Sequence, residues 1–110
     1  MDDPIANAVY DRAGRHLTVY LSGELDQSIA PALTDDILRH IFDGDDVLWV
    51  DLSAVTFCGS AGVSLLARIH DRAGRAGAQM RLYNPPANVM RTIEVCGLAD
   101  QFAVWAVTSN

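Results

Sequence analysis

Ser60 stands where a hydroxyl can do chemistry. It belongs to the run Phe57-Cys58-Gly59-Ser60-Ala61-Gly62, between an apolar stretch that reads as a strand and a periodic stretch that reads as a helix. A serine at a helix start accepts a hydrogen bond from the first turn, worth about 1 kcal/mol, and Ser60 is accordingly the expected N-cap. The free N–H groups and the positive dipole end at such a position also suit a phosphate, which makes Ser60 a candidate phosphoacceptor. Acyl transfer is a third use of a strand-turn-helix serine, but the nucleophile elbow needs G-x-S-x-G and position 58 is cysteine. The one histidine after Ser60, His70, falls well inside the helix, and no acid partner for a triad is evident.

A second polar stretch, Ser22-Gly23-Glu24-Leu25-Asp26-Gln27-Ser28, lies where another strand gives way to another helix. On composition it is a turn with a capping acid, and Ser28 is the expected N-cap of the helix that follows. Both stretches put side chains and backbone N–H groups at loop ends, and spacing alone leaves open whether those ends adjoin. Arg68, Arg72 and Arg75 share one helix face and read as a solvated stripe. His16, His40 and His70 have no metal-ligand spacing and read as surface or strand-end residues.

Elements that would position these residues follow from periodicity. Residues 5–11 and 16–22 alternate as strands around the turn Arg12-Ala13-Gly14-Arg15, an antiparallel hairpin. Ile29, Leu33, Ile37 and Ile41 recur every fourth residue after Pro31, giving a first helix that runs to Phe42 and the turn Asp43-Gly44-Asp45-Asp46. Residues 47–52 are nearly continuous in apolar type, the pattern of a central strand buried on both faces, and residues 53–59 read as its connection to the next helix. A helix over about 61–76, with Leu65, Leu66, Ile69, Ala73 and Ala76 inward and Gly77 as its stop, crosses to a parallel strand at 80–84. Pro85-Pro86 opens a third helix that buries Val89, Met90 and Ile93 and ends at Gly97, and 102–107 reads as the last strand. The order β-β-α-β-α-β-α-β specifies an α/β fold, a mixed sheet with helices packed against it. Trp49 and Trp105 both fall in strands and are expected in the core.

Composition excludes several functions. The 110 residues carry a formal charge of −6, all eight basic residues are arginines and there is no lysine, which removes phosphate-loop and Schiff-base chemistry. Residues 1–60 hold 11 acids and 3 bases, a balance of −8, against 3 acids and 5 bases, +2, in the remainder. An acidic chain without a basic cluster is a poor match to nucleic acid. The start Met1-Asp2-Asp3-Pro4 has no signal-peptide pattern, and residues 52–67 are too short and polar for a bilayer span, so a cytoplasmic protein is expected. Cys58 and Cys96 fit neither a CxxC nor a zinc pattern. The third helix should carry Cys96 about 15 Å from the end of the sheet where Cys58 sits. Disulfide geometry allows about 7 Å between Cα atoms, so two free thiols are expected, Cys58 as a small packing residue.

These pieces together resemble the bacterial anti-sigma-factor antagonists, which are single STAS domains. The matching segments are Ser22-Gly23-Glu24-Leu25-Asp26, Val50-Asp51-Leu52-Ser53-Ala54-Val55-Thr56-Phe57, Ser60-Ala61-Gly62 with Leu65-Leu66, Arg81-Leu82-Tyr83-Asn84-Pro85-Pro86, and Cys96-Gly97-Leu98 before Phe102. They span about residues 8–107 in the family's order and imply one STAS-like domain over 1–110. The resemblance implies that the unphosphorylated chain binds a serine-kinase anti-sigma factor and so frees a sigma factor, and that the kinase reverses this by phosphorylating Ser60. Such a group introduces about −1.5 to −2 charges into a desolvated contact. The expected partner-binding residues are Gly23, Glu24, Asp26 and Ser28 with Gly59, Ser60, Ala61 and Gly62. No catalytic residue, metal or cofactor is implied. One departure stands out: the family usually has aspartate before the phosphorylated serine and often serine or threonine after it, where this chain has Gly59 and Ala61. The accessory STAS subunits on the cytoplasmic face of lipid-transport ABC systems share the Gly23 to Gln27 pattern and are the alternative.

Overall fold

A computed structural model describes residues 6–105 of the chain. Its elements follow the order β1 (Ala6–Ala13), β2 (His16–Leu25), α1 (Ala30–Leu38), β3 (Val47–Cys58), α2 (Ser60–Ala76), β4 (Gln79–Tyr83), α3 (Ala87–Val95) and β5 (Ala103–Trp105). The strands form one sheet in chain order, β1 antiparallel to β2 and every later neighbour parallel. The mixed α/β architecture is therefore the expected one. The ends of the first and last expected strands, Ile5 and residues 106–107, lie outside the described residues, as does the side chain of Trp105.

Strand alternation decides which sheet face is core. Leu17, Val19 and Leu21 of β2, Leu48, Val50 and Leu52 of β3, and Met80 and Leu82 of β4 are buried. All three helices contribute to the same buried cluster, through Ile37 of α1, Leu65, Leu66 and Ile69 of α2, and Val89 and Ile93 of α3. Each such side chain contributes about 1.5–3 kcal/mol on removal from water. The alternate positions Thr18, Trp49, Asp51, Arg81 and Tyr83 are half-buried and Tyr20 is exposed. Among the described residues no helix covers that face, which corrects two expectations: β3 is buried on one face only, and Trp49 stands on the open face. An apolar strand run suits a single buried face when the outward positions carry aromatic rings.

The helix ends also differ from expectation. Ile29, not Ser28, occupies the N-cap of α1. The Ser28 hydroxyl instead donates to Asp26 Oδ1 at 2.7 Å, and the Ile29 and Ala30 N–H groups are taken by the Asp26 carbonyl. Gly59 is the N-cap of α2 with no side-chain hydrogen bond, so Ser60 is the first helical residue and not the cap. Gly77 closes α2 at φ +95°, with the Ala78 N–H returning to the Ala73 carbonyl at 2.8 Å.

At the amino end of β3 a buried carboxylate joins three segments. Asp45 is 4% exposed and meets Arg12 of the β1–β2 hairpin through both oxygens, at 2.8 and 2.9 Å. It also accepts the Phe42 N–H at 2.9 Å, while Arg12 donates to the His40 carbonyl and lies over the Phe42 ring. Nearby, Tyr10 donates to Asp36 and stacks on His40, which fastens β1 to α1. Of the arginine stripe, Arg72 pairs with Asp43 and Arg75 with Asp71, while Arg68 remains exposed.

Both cysteines are free thiols, Cys58 buried and Cys96 exposed. Burial, with a smaller contribution from the charge of Cys96, pushes the Cys58 thiol up to about 11. A thiol reagent near pH 8 is therefore expected to modify one cysteine per folded chain quickly, identified as Cys96 by peptide mapping, and Cys58 only on unfolding. Fast modification of Cys58 in folded protein would contradict this packing.

Candidate functional site

The two polar stretches meet. Leu25 and Cys58 are register partners at the carboxyl ends of the parallel strands β2 and β3, so the chain leaving each strand enters its helix beside the other. β2 and β3 remain paired to their last residues because β3 extends to Cys58, six residues beyond its expected end. Two register irregularities, between Tyr20 and Ser22 and between Gly23 and Glu24, let β3 spend extra residues against β2. Gly23 takes φ +87° there, a left-handed conformation that favours glycine.

Close packing fixes the α2 start against the end of β2. A Cβ at Gly62 would stand 2.6 Å from Cys58 Sγ, 2.9 Å from Leu25 Cβ and 3.1 Å from the Leu25 carbonyl oxygen. Only a residue without a side chain permits this approach. Ser60 is left exposed two residues earlier, and among the described residues no hydrogen bond engages its hydroxyl. Ala61 is half-buried, and the first helical bond runs from the Val63 N–H to the Gly59 carbonyl at 3.1 Å. The N–H groups ahead of Val63 belong to the positive end of α2.

Across from them, Asp26 organises the β2–α1 turn. Its Oδ1 accepts both the Ser28 hydroxyl at 2.7 Å and the Ser28 N–H at 3.0 Å. The hydroxyl hydrogen bond is the main cause that holds the Asp26 carboxyl below its ordinary value, so it is charged at neutral pH. Glu24 is exposed beside it. The expected site residues thus form one acidic edge, Gly23 to Ser28, against one hydroxyl-bearing helix start, Gly59 to Gly62.

Sequence reasoning missed the neighbours that shape this edge. A groove of about 310 Å³ runs between α1 and α2, with Gln27, Pro31 and Thr34 on one side and Ser60, Ser64 and Arg68 on the other. The spacing of Ser60, Ser64 and Arg68 at every fourth residue is the signal that places them on one face. Phe57, paired with Glu24 in the strand register, is 48% exposed next to Gly59. A large apolar ring standing in water beside the acidic edge suits a protein contact.

A STAS domain model matches residues 7–109. The chain belongs to the STAS family. Among curated relatives of this STAS protein, the anti-sigma-F factor antagonist RsfB of Mycobacterium tuberculosis is 35% identical over 104 residues, 94% of this chain and 84% of the relative. The anti-sigma-F factor antagonist RsfA of the same organism is 26% identical over 112 residues, 97% of this chain and 88% of that one. A crystal structure of an anti-sigma factor antagonist from Mycobacterium paratuberculosis superposes with a TM-score of 0.82 at 28% identity, covering 97% of this chain and 92% of that one. The STAS architecture therefore accounts for the whole described sheet. No described helix is long and apolar enough to cross a membrane.

Proposed function

We propose that this STAS protein is an anti-sigma-factor antagonist that acts by binding and not by catalysis. Its partner is an anti-sigma factor with serine-kinase activity, and binding frees the sigma factor that the partner holds. The contact surface is the acidic edge Gly23, Glu24, Asp26 and Ser28 together with Gly59, Ser60, Ala61 and Gly62, and phosphorylation of Ser60 ends the contact. Support comes first from one observation: Ser60 is exposed at the first position of α2, directly across from the β2–α1 turn. The names of the relatives point the same way.

The chemistry is consistent with a switch that leaves the fold intact. A phosphoryl group on Ser60 sits at the positive end of α2, which tolerates it. Its charge instead adds to Glu24 and Asp26, so repulsion and desolvation act against a docked partner. With the cognate kinase and ATP, mass spectrometry is expected to find phosphate on Ser60. Ser60→Asp should bind the partner at least about tenfold more weakly, which corresponds to 1.4 kcal/mol. Ser60→Ala should bind like the parent and resist release by ATP. Phosphate on another residue with Ser60 unmodified would sink the proposal.

A further inference from the structure

The sheet face that no described helix covers carries a pocket that the Ser60 edge does not use. The strand register builds it: Val9, Tyr20, Asp51 and Tyr83 form one row across β1 to β4, and Asp11, Thr18, Trp49 and Arg81 form the next. Between the rows lies a cavity of about 240 Å³ lined by Thr18, Tyr20, Trp49, Asp51 and Tyr83. The Trp49 and Tyr83 rings meet edge to face, 6.1 Å between centroids and 86° between planes, so they stand as two walls. Tyr20, 45% exposed, is the rim on the β2 side.

Three aromatic rings around a carboxylate select for positive charge. Ring faces attract cations through their quadrupoles, and Asp51 places a carboxylate between Tyr20 and Tyr83. Asp11 supplies a second carboxylate on the same sheet face, and the net charge of −6 attracts cations from a distance. That this surface accepts a cation is visible in the chain itself, since the Arg81 guanidinium lies over the Trp49 ring at 5.4 Å. Arg81 also donates two hydrogen bonds to Gln79 Oε1, at 3.3 and 2.9 Å, and is not one of the residues that line the cavity.

The hydrogen bonding narrows the kind of cation. Asp51 Oδ1 already accepts the Ser53 hydroxyl at 2.6 Å and the Ser53 N–H at 2.9 Å. A guanidinium fork, which matches both oxygens of a carboxylate, would compete with that turn. A methylated ammonium needs no hydrogen bond at all, only ring faces and a nearby negative charge. We propose that this pocket binds a quaternary ammonium group, carried by a free solute or by a lipid headgroup. The assignment is independent of the Ser60 surface, and its failure would leave the proposed function standing.

Choline and its neutral isostere 3,3-dimethylbutan-1-ol test the charge requirement. In proton–nitrogen correlation spectra, millimolar choline is expected to shift the Trp49 indole N–H and the Tyr83 amide, with the neutral alcohol at least tenfold weaker. Asp51→Asn retains an Oδ1 acceptor for Ser53 while removing the charge, and is expected to weaken choline at least tenfold with an unchanged circular dichroism spectrum. Tyr20→Leu, at an exposed rim position, should weaken choline severalfold. Flotation with phosphatidylcholine vesicles assigns the group to a lipid headgroup, and choline binding without flotation assigns it to a solute. No shift with millimolar choline, equal binding of the alcohol or of guanidinium, or an unchanged affinity in Asp51→Asn would each overturn the proposal.

Discussion

Asp45→Ala is expected to lose about 3 kcal/mol of folding stability, because it leaves Arg12 without the carboxylate that both ends of its guanidinium fork contact. Breaking a buried pair by removing one partner costs about 3–5 kcal/mol, whereas an exposed bridge contributes about 0–1. Asp45 belongs to the first class, since its side chain is 5% exposed, and the 28% exposure of Arg12 places the loss at the lower end. Against a domain stability of about 5–15 kcal/mol, such a loss moves a urea midpoint far outside error. The double variant Arg12→Met with Asp45→Leu should recover most of it, because apolar replacement removes the stranded charge. A loss below about 1 kcal/mol in Asp45→Ala would show the pair to be a surface bridge in effect.

The same carboxylate gives the stability a pH dependence. The Arg12 hydrogen bonds are the main cause that holds Asp45 below its ordinary value, with burial opposing them and the Phe42 N–H assisting. A carboxyl whose folded value lies below its unfolded one contributes fully above the unfolded value, about 4, and loses that contribution as pH falls through the folded value. The gap between parent and Asp45→Ala is therefore expected to be constant near neutrality and to narrow on acidification.

Gly62→Ala is expected to damage both the fold and the contact surface. Alanine in a helix gains up to about 1 kcal/mol over glycine. The added carbon would meet Cys58 Sγ at 2.6 Å and Leu25 Cβ at 2.9 Å, and overpacking of this kind costs about 1–3 kcal/mol. The net expectation is a loss of about 1–2 kcal/mol, with a shifted α2 start that weakens partner binding about tenfold. Gly74→Ala is the control in the same helix, because nothing lies within 4 Å of the position a Cβ would take. It should stabilise by up to about 1 kcal/mol and leave binding unchanged. Equal behaviour of the two variants would mean that the approach of α2 to β2 is not tight.

Much of this was legible in the residues. The inward set Leu65, Leu66, Ile69, Ala73 and Ala76 of α2, the hairpin around Gly14 and the stops at Gly77 and Gly97 each follow from one local rule, and each is present, whereas the fourfold spacing after Pro31 overran: α1 ends at Leu38 and not at Phe42. The end of β3 was not legible because its alternation breaks: Ser53 and Ala54 are both exposed, as are Thr56 and Phe57, wherever β3 gains a residue on β2. A period of two cannot be followed through such slips. Ser28 was misplaced for a different reason: the Asp26 carbonyl takes the Ile29 and Ala30 N–H groups, and the Ser28 hydroxyl donates to the Asp26 carboxylate. The open sheet face was hidden because Trp49 and Tyr83 are residue types that ordinarily signal core. That the chain leaves β2 at Leu25 beside the place where it leaves β3 at Cys58 depends on pairing between distant strands, which spacing cannot express.

The strand order of the sheet bears on how the chain comes to be folded at all. Each strand pairs with the one immediately before it in sequence, and no connection skips a neighbour. A polypeptide emerging amino end first from the ribosome therefore finds the docking edge for each new strand already made, first by the hairpin and then by each crossover in turn. Growth in one direction adds every new strand to the edge formed last, which limits the time for which an unpaired strand can recruit a neighbouring chain.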